Sequence, residues 1–461
     1  MARCYCHWRN VLFCVCAPCI CLALMFLFVG VMMCTTLNNT TKAGILDPID
    51  FVASGTYTNG SFAPLPKTFW DFNLHKNAYW NRLQLAIDRQ LNPILRPNKI
   101  KRGSENSIFD DSLLSQSFSE VNDLDGMRKH FDKMPDQMKK FVGNMNRRDY
   151  PVLLQPNAVC GAGAKDEKQP PLLLLAIKTT EVNFKNRQAI RRTWGQAGWM
   201  AGQRRNNNIT EDGGYVRRVF LLGKENPQEL GVDLSALMEM ESKHYGDILQ
   251  WDFSDTFFNL TLKDVLFWNW FSQFCSQTLF VFKGDDDVFI NTPRMISYLQ
   301  DQLRKPQADE AMIDFMVGDV IRAASPNRVN RSKYFIPDSF YKGTYPTYAG
   351  GGGVVYSGLL TKRLNNVSKR VHLFPIDDVF VGMCMVRLNA NPIHHHAFLT
   401  FDFPTKDGEK LCAYHTILLV HKRSPTQMFQ LWADLKKTET QCWDTPLRVI
   451  KEKKHNTVTV S

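Results

Sequence analysis

The chain has 461 residues, 44% of them hydrophobic and 22% charged, with a formal charge of +11 at pH 7. That composition excludes a disordered or collagen-like chain and leaves room for a full core with added segments. The basic excess is mild for the length, and no zinc-finger spacing or aromatic RNA-binding motif accompanies it, so a nucleic-acid partner is not expected.

Residues 1–10 carry Arg3 and Arg9, and residues 11–34, from Val11 to Cys34, carry no charge. An apolar run of that length is a candidate transmembrane helix, with Pro18 as a place to kink. Asp47 and Asp50 come after it, so the positive-inside rule leaves residues 1–10 cytoplasmic and predicts a type II signal anchor over 11–34. A cleavable signal peptide would have a shorter apolar core and a small-x-small site. Seven of the twelve cysteines precede residue 35; the other five are Cys160, Cys275, Cys384, Cys412 and Cys442. In an oxidising compartment those five suggest two bridges and one thiol left over, with the pairing open. Sequons at Asn38, Asn39, Asn59, Asn208, Asn259, Asn330 and Asn366 fit the same lumenal setting.

Residues 35–155 are polar and irregular, rich in proline between Pro48 and Pro97, and read as a lumenal stem. Within them Ala78 to Leu91 has helical spacing with Tyr79 and Trp80, which predicts that part of the stem packs onto the domain C-terminal to it. After Pro170 strand-like runs alternate with helical patterns. The spacing predicts strands at Leu172–Lys178, Val216–Leu222, Asp247–Trp251 and Thr278–Lys283. Helices are predicted at Asn183–Gly195, Leu234–His244 and Leu260–Phe274. Such alternation argues for an α/β domain with a mainly parallel central sheet. A basic tail closes the chain at 446–461.

Four segments carry chemistry. Lys178 ends the first strand, and Arg187 and Arg191, four apart, share a helical face just after it, which suits a diphosphate. The strand Phe280-Val281-Phe282-Lys283-Gly284 runs into Asp285-Asp286-Asp287, where clustered carboxylates at a strand end call for a hard divalent cation. Tyr345 to Gly353 holds four consecutive glycines bracketed by aromatics, which predicts close approach of backbone to a ligand, Gly351 and Gly352 included. Asp377-Asp378, set among apolar neighbours, offers a general base, a helix N-cap, or both. His421, ending an apolar strand, is the one plausible metal ligand among the histidines, although a satisfied core histidine is the commoner meaning of that setting, and His394-His395-His396 reads as loop.

Taken together, these segments resemble the β-1,3-glycosyltransferase family, most closely its β-1,3-N-acetylglucosaminyltransferase branch. The match also includes Phe220-Leu221-Leu222-Gly223 and Asp255-Thr256-Phe257-Phe258-Asn259-Leu260-Thr261-Leu262-Lys263. The resemblance implies a GT-A nucleotide-sugar transferase fold over 156–445, a type II Golgi membrane protein, Mn²⁺ with Mg²⁺ as the alternative, and a galactose-terminated glycan acceptor. It implies that Asp287 ligates the metal with His421, that Asp378 is the base, and that Lys178, Arg187, Arg191, Asp255, Lys263, Asp285, Asp286, Gly351, Gly352 and Asp377 serve the nucleotide-sugar. Galactosyl members tend to carry Glu-Asp-Val where this chain has Asp377-Asp378-Val379, which tilts the expectation from UDP-Gal to UDP-GlcNAc. A non-catalytic, lectin-like membrane protein is the remaining alternative. Relatives often have a cysteine at the position of Arg147, which would leave Cys160 without its usual partner.

Overall fold

The computed structural model describes residues 78–91, 131, 134–203, 213–403 and 405–449. The chain divides into two compact units, 1–50 and 51–461, and every described residue belongs to the second. The expected anchor at 11–34, most of the basic tail and the sequons at Asn38, Asn39, Asn59 and Asn208 lie outside the described residues. Among the described residues no helix is long and apolar enough to cross a membrane.

The first elements are α1 (Tyr79–Leu91), α2 (Asp136–Gly143) and β1 (Val152–Leu154). The expected alternation then runs through β2 (Leu173–Lys178), α3 (Phe184–Arg192), β3 (Gly198–Ala201), β4 (Gly213–Lys224), α4 (Ser235–Tyr245), β5 (Ile248–Ser254), α5 (Leu260–Phe274) and β6 (Phe280–Asp285). All six side chains of β2 are buried, as befits a strand covered on both faces. Beyond it come β7 (Phe289–Ile290), α6 (Thr292–Leu303), β8 (Met316–Ile321), β9 (Tyr348–Ser357), α7 (Gly358–Ser368), α8 (Asp377–Arg387), β10 (Ile393–His394), β11 (Phe398–Leu399), β12 (Leu419–Val420) and α9 (Pro425–Cys442).

The main sheet runs β1-β5-β4-β2-β6-β9-β8-β10, with β3 paired to β4. Its centre, β5-β4-β2-β6, is parallel because each crossover carries a helix. The expectation of a mainly parallel sheet needs correction beyond that centre. β9 is antiparallel to both β6 and β8, and β1 and β3 are antiparallel to their partners, so the sheet is mixed. The stretch expected as a glycine loop forms the start of β9, and His394, expected in a loop, ends β10. A second sheet, β11-β12-β7, stands beside the end of β6.

Alternate side chains of β2 enter opposite cores, as period-two geometry requires. Leu174 and Ala176 join an apolar cluster with α1, α2, α5, α7 and α8, while Leu173, Leu175 and Ile177 join one with α3, α6 and α9. Helix α1 is anchored within the first cluster. Trp80 Nε1 donates to the carbonyls of His372 and Leu373 at 3.2 and 3.1 Å. Gln84 donates to Arg370 O and accepts from His372 N, both at 2.9 Å. Asp88, fully buried, takes a forked pair of bonds from Arg387 at 3.0 and 2.6 Å. Removing one partner of a buried pair leaves the other charge uncompensated, so Asp88→Ala is expected to destabilise the protein by about 3–5 kcal/mol. Chemical denaturation checks this; an unchanged midpoint would contradict the packing.

Two disulfides, Cys160–Cys275 and Cys412–Cys442, leave Cys384 as a buried thiol. Cys160 therefore has a partner, although Arg147 occupies the position where one was expected. Of the described sequons, Asn330 is exposed in a turn. Asn259 and Asn366 are half-buried, and the hydroxyls of their sequons are turned inward, Thr261 to Phe374 O and Ser368 to Asn365 O.

Candidate functional site

The parallel strands β2 and β6 end side by side, with Lys178 in register with Asp285. Ligands in α/β sheets bind beyond such carboxyl ends. There a cleft of about 790 Å³ opens, lined from β2, β6, β9, the start of α8 and the segment after β12.

The acidic triplet forms a tight turn that points its three carboxylates differently. Asp286 turns inward, where it accepts from the Thr179 hydroxyl, from Asn183 at 2.9 Å and from Asn186 at 3.3 Å. Asp287 turns outward to His421, whose Nε2 stands 3.2 Å from Oδ1. Asp285 completes the group, with Oδ2 4.0 Å from the same nitrogen. One ligand atom from each of Asp285, Asp287 and His421 falls within 4.8 Å of the others. Burial first, and then the charges of Asp377 and Asp287, push the Asp285 carboxyl up to about 7 against the pull of Lys178. Excess negative charge of this kind is what a divalent cation relieves. His421 Nδ1 is buried with no hydrogen-bond partner, so nothing on that side of the ring competes for its orientation. Two carboxylates and an imidazole within that reach fit a divalent cation.

Gly352 explains how His421 reaches this position. At φ +87° a Cβ there would lie 2.6 Å from the imidazole Cδ2, and one at Gly351, also φ +87°, would overlap Thr400. The close approach expected at the glycines is thus toward protein side chains that themselves line the cleft. The histidine run is fixed by its own bonds. His394 Nδ1 accepts from Val320 N at 3.1 Å, which places the proton on Nε2, directed at His396 Nδ1 2.9 Å away.

Lining the same cleft, Asp377 and Asp378 are the first two residues of α8, directly after the cap residue Ile376 rather than at the cap. The positive end of the helix dipole favours carboxylates there. Their surroundings drive them apart. Burial would raise Asp377, but Lys178, in contact with it, and Lys283 at 3.5 Å hold it well below the usual range. Asp378 is raised to about 6 by burial and by the charge of Asp377, with Lys283 opposing at 3.4 Å. Two adjacent carboxylates with separated proton affinities are suited to different tasks: one can remain an anion while the other can take up a proton.

Not every expected cation faces this cleft. Arg187 and Arg191 do share a helical face, but it packs inward. Arg187 binds Glu241 at 2.6 and 2.8 Å; Arg191 binds Glu241 at 2.6 Å and Asp247 at 2.7 and 2.8 Å. Both guanidinium groups are buried structural ions, because α4 and Asp247, just before β5, bring carboxylates to them. Lys263 does line the cleft, but it too is paired, with Asp255 at 2.9 Å, beneath Thr179, whose carbonyl accepts from Lys263 at 2.6 Å. Two residues of the site escaped the sequence reading, Lys283 and Asp264. Asp264 is fully buried and binds Lys178 at 3.2 Å and Lys283 at 3.1 Å. The one acid in the mostly apolar helix Leu260–Phe274 was the available signal, since buried acids are almost always paired. Lys333 and Lys422, both exposed, supply positive charge at the rim.

The galactosyltransferase family model matches residues 185–396. The chain is 40% identical to N-acetyllactosaminide beta-1,3-N-acetylglucosaminyltransferase 2 of Homo sapiens, over 82% of this chain and 89% of that one. It is 40% identical to N-acetyllactosaminide beta-1,3-N-acetylglucosaminyltransferase 4 of Mus musculus, over 67% and 81%. It is 38% identical to UDP-GlcNAc:betaGal beta-1,3-N-acetylglucosaminyltransferase 7 of Rattus norvegicus, over 68% and 74%.

Proposed function

The chain belongs to the β-1,3-N-acetylglucosaminyltransferases, and from that premise we propose that its cleft transfers N-acetylglucosamine from UDP-GlcNAc to the 3-hydroxyl of a terminal β-galactose. The observation that carries this reading is the split carboxylate pair of α8 facing the Asp285, Asp287 and His421 group across one cleft. In this reading the fold is GT-A, and the protein is a type II Golgi membrane protein. The charge-free run Val11 to Cys34 behind Arg3 and Arg9 supports the anchor.

Asp285, Asp287 and His421 would hold Mn²⁺, or Mg²⁺ in its place. When bound, the ion supplies positive charge against the diphosphate leaving group. The protein's own groups do the rest. Asp378 accepts the proton of the acceptor 3-hydroxyl as that oxygen attacks the anomeric carbon. Asp377, kept anionic by Lys178, stays out of proton transfer and sustains the raised affinity of its neighbour. Asp286, turned inward and immobilised by Thr179, Asn183 and Asn186, fixes the turn that carries Asp285 and Asp287 at the donor end of the cleft, and Lys422 and Lys333 draw the anionic donor to the rim. Attack from the face opposite UDP inverts the α-donor to a β-linkage, by the logic of inverting glycoside chemistry.

The test is the full-length protein with Mn²⁺, a lactosamine acceptor and a panel of UDP-sugars, the product linkage read by NMR. GlcNAc transfer in β-1,3 linkage is expected. Transfer from UDP-Gal would make it a galactosyltransferase, and UDP binding with no transfer would favour a lectin-like role.

A further inference from the structure

Lys283 lies in β6 and, although it lines the cleft, is buried to 3% exposure. Its three protons meet three carboxylates: Asp264 Oδ2 at 3.1 Å, Asp378 Oδ1 at 3.4 Å and Asp377 Oδ2 at 3.5 Å. Asp377 already has Lys178 in contact, and Asp264 already has Lys178 at 3.2 Å. Lys283 is the one cation within ion-pair distance of Asp378 among the described residues. The contact is made through Oδ1. The other oxygen, Oδ2, lies beside Gly350 of β9, 3.0 Å from where a Cβ would stand, so the glycine leaves room on that side. Asp378 has 28% of its side chain exposed, enough to rotate toward water if nothing held it.

We propose that Lys283, braced from behind by Asp264, is the positioning residue that orients the Asp378 carboxylate, holding Oδ1 so that Oδ2 meets the acceptor hydroxyl. The inference rests on the reading of Asp378 as the base. A positioned base must lie within hydrogen-bond reach of the proton it takes, and a displacement of about 1 Å costs about 100-fold in rate. Lys283 is thus part of the proton-transfer geometry rather than of diphosphate binding, although it stands two residues before the acidic triplet. Asp264 ties it to Lys178, so one buried carboxylate sets the position of both lysines, and through them of both aspartates.

Full-length Lys283→Met and the paired variant Asp264→Asn/Lys283→Met test this, with transfer kinetics, UDP binding by calorimetry in Mn²⁺ and thermal unfolding. The single variant leaves Asp264 less compensated and is the one at risk of misfolding. The pair removes acid and base together, which is tolerated far better. Both are expected to lose about 100-fold in kcat while the KM for donor and the affinity for UDP hold within about threefold. A paired variant with kcat within about threefold of wild type would overturn the proposal, since Lys283 would then only balance Asp264. A loss of UDP affinity as large as the loss of rate would also overturn it, by placing Lys283 in donor binding. Failure of the underlying reading shows separately, as an Asp378→Asn protein that transfers normally.

Discussion

Asp378→Asn is expected to lower kcat by about 10³-fold, within the range a general base supplies, while UDP binding in Mn²⁺ stays unchanged. The substitution keeps the shape of the side chain and removes its ability to take a proton. It also relieves Asp377 of a neighbouring negative charge, so the protein should fold at least as well as before. The pH dependence adds a second readout. With its affinity raised to about 6, Asp378 is protonated and inactive as a base below that pH and ionised above it. Wild-type kcat/KM should therefore climb through about pH 6 and level off, and the residual activity of Asp378→Asn should lack that limb. Retained activity, or an unchanged limb in the variant, would assign the base elsewhere.

The second large effect is expected at the opposite wall. Asp287→Ala deletes the carboxylate that stands 3.2 Å from His421 and leaves Asp285 and the imidazole as an incomplete set. Metal-assisted charge stabilisation contributes several kcal/mol, so a loss of about 10³-fold or more in transfer is expected. Unlike the base variant, this one should also lose the Mn²⁺ dependence of UDP binding, seen by titrating the metal in calorimetry. The contrast separates the two walls: one variant binds and does not react, the other fails to bind. If Asp287→Ala bound UDP with undiminished response to Mn²⁺, the ion would have to sit elsewhere.

The elements from β2 to β6 were legible because strand and helix periods alternate cleanly there, and β2 is one unbroken apolar run. Past β6 that clarity is lost. β9 begins as a glycine stretch, whose low strand propensity hides a strand that exists to fit between β6 and β8. The acidic triplet and the Asp377-Asp378 pair stood out by type and setting, whereas His421 had the setting of an ordinary core histidine and was singled out by the resemblance. Arg187 and Arg191 misled for a physical reason: spacing places two guanidinium groups on one face but does not say whether that face meets a ligand or the carboxylates of Glu241 and Asp247. Lys283 was overlooked because a lysine inside an apolar strand has a meaning only once its three partners, distant in sequence, are known.

Helix α1 has a role that its place in the expected stem conceals. It grips residues 370–373 just ahead of α8 through Trp80 and Gln84, and Arg387 at the far end of α8 through Asp88. Asp377 and Asp378 sit at the near end of that same helix. The segment acts as a splint: it spans the part that carries the proposed base and touches none of the residues of the cleft. Any shortened version of the protein meant to keep activity must begin upstream of Ala78, and sequence drift along Tyr79 to Asp88 should be judged by the standards of an active site, not by those of a tether.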